Sequence, residues 1–107
     1  MLRREGDIII FENTDELLEQ ADWSVPTVLT PAQAVETGAA MLDDVDRVVR
    51  GRLARGEAEA LAHDETFHAE QRKIDTLRRG ARLIFAACPV EREQFIVEQQ
   101  VRRQFIR

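Results

Sequence analysis

Residues 57–88, EAEALAHDETFHAEQRKIDTLRRGARLIFAAC, decide how this chain folds. On a seven-residue repeat Ala60, Phe67, Ile74, Ala81 and Cys88 fall in one column, and His63, Glu70, Leu77 and Ile84 fall in the next. Two such columns make an apolar stripe on one face of an α-helix, so the stretch predicts a single long amphipathic helix over 57–88. A stripe of that length needs cover. The preceding segment supplies it: Thr30-Pro31-Ala32-Gln33 has the spacing of a capping box with proline in the first helical position. The helix it opens, over 30–53, aligns Val35, Gly38, Leu42, Val45 and Val49, with Met41 and Val48 widening the stripe.

A hairpin turn at Ala54 to Gly56 joins the two helices in this reading. Antiparallel packing about that turn sets Leu42 against Phe67 and Val35 against Ile74. It brings Asp46 level with His63, and Ala39 level with Glu70. Gly38 removes bulk from the stripe and lets the helix bearing Glu70 approach closely.

Working outward, Cys88-Pro89 ends the long helix and opens a last one over 89–106. Val90, Val97, Val101 and Phe105 share one of its faces, with Phe95 and Ile96 beside them. In the other direction, Asn13 and Glu16 cap a short helix over 13–22, which Val25-Pro26 terminates. Trp23 follows it, either as a lid on the helical core or as an interface anchor. Ile8 to Phe11 is the one strongly β-branched run, within an N-terminal arm or strand over 1–12. A lone strand leaves its hydrogen bonds unpaired, so it packs as an arm, pairs between copies, or extends a partner's sheet. The expected fold class is therefore all-α: one small helical domain over 1–107, built on a long helical hairpin, with a short N-terminal strand or arm and a C-terminal helix.

Composition bounds the function. With 107 residues, 44 % of them apolar, a core is affordable but thin, which favours contact with a second copy or another protein. Residues 1–46 hold eleven acids against two arginines, whereas residues 47–107 hold nine acids against thirteen basic residues. Acidic front and basic rear can dock within or between copies. A net charge of −5, with Glu57, Glu59, Glu91, Glu93 and Glu98 among the arginines, disfavours a phosphate backbone as partner. The apolar run Ile8 to Phe11 is too short for a signal core or a membrane span. Cys88 has no second cysteine to join, and a cytoplasmic setting is expected.

The chemically suggestive residues lie in residues 61–70, which hold both histidines. His63 and Glu70 are polar positions on the apolar stripe, and with Asp46 they form the expected buried polar set, His63 bonding to Asp46 across the hairpin. Glu65 and His68 stand three apart. This Glu-x-x-His spacing resembles half of the ferritin-like carboxylate diiron site, which uses two such pairs and two further glutamates. The chain has no second pair, so the resemblance implies a transition-metal ion held with Glu36, Asp43, Asp44 or Asp46 of the preceding helix, or with a second subunit. No phosphate loop, His-Glu-x-x-His, cysteine pair or nucleophilic serine context is present. The sequence thus reads as a non-catalytic oligomeric subunit, adaptor or regulator working through protein contacts at Ile8, Ile10, Phe11, Trp23, Phe95, Val101 and Phe105. The alternative is metal binding through Glu65 and His68.

Overall fold

A computed structural model describes residues 2–11, 23, 25–54 and 65–105. Strand β1 (Leu2–Glu5) and strand β2 (Ile8–Phe11) form an antiparallel hairpin in the register Leu2↔Phe11, Arg4↔Ile9 and Glu5↔Ile8. Its loop is Gly6-Asp7, and Gly6 has φ 59°, the positive φ that the tight primed turns demand at their first central position. Strand β3 (Val28–Leu29) pairs with the other edge of β2, Ile9 opposite Leu29. One edge of Ile8–Phe11 is therefore filled along its length by β1 and the other from Ile9 to Phe11 by residues 27–29, and the sheet order is β1-β2-β3. The unpaired strand expected from the sequence is a central strand instead. Its call for a partner's hydrogen bonds is met by Leu2–Glu5 and by Val28–Leu29.

Helix α1 (Pro31–Ala54) begins where 30–53 is read from the sequence. Its capping box is formed: the Gln33 N–H donates to Thr30 Oγ1 and the Thr30 N–H to Gln33 Oε1, each at 3.1 Å. Helix α2 (Glu65–Ala87) and helix α3 (Pro89–Phe105) follow. The expected helix over 13–22 and the first part of the one over 57–88 lie outside the described residues. At the α2–α3 junction the Cys88 N–H closes the last turn of α2 on Ile84 O, and Cys88 O accepts from the Arg92 N–H. Pro89, which has no N–H to give, marks the break.

The α1–α2 hairpin carries the core. Ile74, Leu77, Ala81, Ile84 and Cys88 of the long stripe are all buried, against Ala34, Val35, Met41 and Val45 of α1. Ile9 and Leu29, directly opposed across β2 and β3, close one end of this layer. Burial makes Cys88 a small apolar filler and pushes its thiol pKa up, away from the reactive thiolate.

The register differs from expectation. Met41 lies on Gly80, where a Cβ would meet its Sδ at 3.2 Å, and Gly38 lies on Phe85 and Ile84. A turn at Ala54 to Gly56 would have put Met41 opposite His68, about twelve residues earlier in α2. Leu42 is exposed as a result, rather than seated on Phe67. Gly38 does permit the close approach to α2, at Phe85 and far from Glu70.

Candidate functional site

The expected buried polar set does not assemble among the described residues. Asp46 is exposed and pairs with Arg50 at 2.9 Å one turn along its own helix. His63 itself lies outside the described residues. Glu70 is half-buried and ion-paired: Arg52 Nε donates to its Oε2 at 3.0 Å. The same guanidinium donates to Gln71 Oε1 and Phe67 O, and lies 4.3 Å above the Phe67 ring. Arg52 thus ties the end of α1 to the start of α2 with hydrogen bonds and a stacking contact together.

That same arrangement bears on the metal alternative. His68 is exposed, its ring edge-on to Phe67 with centroids 5.9 Å apart. What α1 lays beside this part of α2 is the Arg52 cation, not a carboxylate. Of the acids named as further ligands, Asp44 is engaged by Trp23 and Lys73 and Asp46 by Arg50. The described residues contain no cluster of three or more potential metal ligands.

Two further ties fix the surface. Trp23 Nε1 donates to Asp44 Oδ2 at 2.9 Å, and Lys73 Nζ stands 3.4 Å from the same oxygen. Trp23 is half-buried and packs on the core. The indole hydrogen bond, with Lys73 in support, holds the Asp44 carboxyl below its ordinary pKa despite the opposing effect of burial. A depressed carboxylate stabilises the fold at neutral pH, and that contribution fades as pH falls through the acidic range. Asp44→Asn is thus expected to cost about 0.5–1.5 kcal/mol at neutral pH and almost nothing at strongly acidic pH. Urea unfolding across that range checks it.

Arg4 makes the second tie. It donates to Glu91 Oε1 at 2.7 Å and to the Ala87 carbonyl at 3.0 Å, so β1 caps the last turn of α2 and grips the first turn of α3. The Arg4 hydrogen bond holds the Glu91 carboxyl below its ordinary pKa. This contact sets the rotation of α3. Glu91, Phe95 and Gln99 turn inward, and the stripe of Val90, Val97 and Val101 turns outward.

Among the residues read as interface, Ile8 and Val101 are exposed, while Phe11, Trp23 and Phe95 pack on this chain's own core and Ile10 is half-buried. The Phe105 side chain lies outside the described residues.

The outward face that results is a row of three shallow hollows. The first, of about 450 Å³, has Leu42 and Phe85 in its floor and Arg78, Arg82 and Arg92 around it, with no acid in its lining. The second shares Phe85 and Arg92 with the first, and adds Val90, Glu93 and Ile96. The third shares Val90, Glu93 and Ile96 with the second, and continues to Val97 and Glu98. Arg92 stacks on Phe85 at 4.5 Å, joining floor and rim. The charged lining is basic in the first hollow, one cation and one acid (Arg92 and Glu93) in the second, and acidic in the third. Sequence reasoning missed it, although Arg78 and Arg82 carried a signal: like charges one helical turn apart repel unless an anion lies near both. Among the described residues neither has an ion pair, and neither do Glu93 and Glu98.

No family model, curated protein or solved structure matches the chain. Among the described residues no helix is long and apolar enough to cross a membrane.

Proposed function

We propose that this protein is a non-catalytic helical subunit or adaptor that works by protein–protein contact, with the outward face of α3 as its docking surface. One observation carries the reading. Val90, Ile96, Val97 and Val101 remain 60, 42, 56 and 44 % exposed on a single helix whose other side is already packed. Isolated exposed apolar residues are ordinary, but a continuous strip rimmed by charge is what protein interfaces present before they close. The single buried thiol fits a reducing, cytoplasmic setting.

Val97→Asp with Val101→Asp tests the proposal. Analytical ultracentrifugation of the wild-type chain is expected to show association, and the variant to weaken it by about 100-fold, since each buried valine contributes roughly 1.5–3 kcal/mol. Both side chains are exposed, so circular dichroism should show unchanged helix content. A wild-type chain that stays monomeric and captures no other protein, or a variant that associates undiminished, overturns the reading.

A further inference from the structure

We infer that the partner of this face is a second copy of the same chain, docked about a two-fold axis. Arg78 and Arg82 of each copy meet Glu93 and Glu98 of the other. The inference rests on the protein-contact reading above and adds the identity and orientation of the partner.

The order of the three hollows carries it. Basic and acidic ends share no lining residue and are joined through a middle hollow where Phe85, Val90 and Ile96 lie between one cation, Arg92, and one acid, Glu93. A two-fold interface is self-complementary: one patch must hold both halves of every contact it makes. A row that is positive at one end, balanced in the middle and negative at the other meets that condition, because rotation by a half-turn lays each end on its opposite. The axis then passes through the middle hollow, and valine and isoleucine side chains of the two copies bury one another.

Occupants of one charge, or of none, satisfy only part of the surface. A purely acidic partner would neutralise Arg78 and Arg82 but set its charge against Glu93 and Glu98, and a purely basic one would do the reverse. An uncharged apolar partner would strip water from four charged side chains that have no ion pair among the described residues, a cost it could not repay. The chain's own row carries both charges in the required order. Arg78 and Arg82 stand one turn apart on α2, a like-charge spacing that incoming acids relieve.

Charge exchange tests the pairing. The double variants Arg78→Glu with Arg82→Glu, and Glu93→Arg with Glu98→Arg, each set like charges together at both ends of a homodimer. Each alone is expected to weaken dimerisation by about tenfold or more. Mixed in equal amounts, they restore both contacts: one is the reversed pair, the other the original. Native mass spectrometry is therefore expected to show the mixed dimer in large excess over either homodimer. All four side chains are exposed, and circular dichroism confirms that the variants fold. Glutamine at the same positions is the milder alternative, expected to weaken the dimer by a smaller factor without repulsion. Undiminished homodimers of either double variant, or a mixture with no preference for the mixed dimer, overturn the pairing. If those dimers still fall apart with Val97→Asp and Val101→Asp, the docking face stands and only this orientation fails. A wild-type chain that is monomeric throughout overturns the second copy as partner.

Discussion

Leu77→Ala is expected to cost about 2–5 kcal/mol of folding free energy, while Leu83→Ala, on the same helix, should change it by no more than about 0.5 kcal/mol. Leu77 is fully buried at the centre of the α1–α2 interface, whereas Leu83 is 42 % exposed. Truncating Leu77 removes apolar contacts and leaves a void between two rigid helices that cannot collapse into it. Against a typical stability of about 5–15 kcal/mol, that is a large fraction, equivalent to roughly 10–20 °C in melting temperature. Chemical denaturation of the two variants side by side measures it. Equal losses would mean that the buried face of α2 has been assigned wrongly.

Gly38→Leu should be comparably severe, at about 3 kcal/mol, because an added Cβ alone would already stand 3.0 Å from Phe85 Cε1 and 3.1 Å from its Cζ. The ring, with Arg92 stacked on it, would have to shift to make room. Gly38→Ala sets a gain of about 1 kcal/mol in helix propensity against that contact, so its net effect should be close to zero. Removing the obstacle should help: Phe85→Ala combined with Gly38→Leu is expected to be less damaging than the sum of the two changes, with a coupling of about 1–2 kcal/mol. Strict additivity would place the close helix approach elsewhere.

The buried face of α2 was legible because period alone determines it: Ile74, Leu77, Ala81, Ile84 and Cys88 repeat in two columns whatever lies opposite. The capping box at Thr30 and Gln33 was legible for a similar reason, since three residues suffice to form it. Register was not. It depends on where the chain turns, and Gly51, which offered a stop, lies inside α1, so Met41 reaches Gly80 instead of His68. Neither was the sheet legible: Leu2-Arg3-Arg4-Glu5 has no β-branched residue, and it becomes a strand because Gly6-Asp7 turns it onto β2 and Arg4 anchors it to α2 and α3. The apolar stripe of α3 could be seen, but not which way it points. Arg4 gripping Glu91 decides that, and no local pattern connects two residues so far apart. The candidate surface was hidden for the same reason, being assembled from two helices on either side of Pro89.

The contact between Arg4 and Glu91 spans 87 positions, and it imposes an order of events on folding. During synthesis the β1–β2 hairpin can close as soon as Gly6 and Asp7 have been followed by Phe11, since its contacts are local. Its arginine then waits. The carbonyl it caps and the carboxylate it grips follow 83 and 87 positions later, so this contact cannot form until residue 91 has been made. A long loop must be closed before that contact repays its entropy, which makes the clasp of Arg4 on α2 and α3 a later and slower step than the pairing of β2 with β3. The outward rotation of α3 is fixed only then, so the proposed docking face is completed after the hairpin core rather than alongside it.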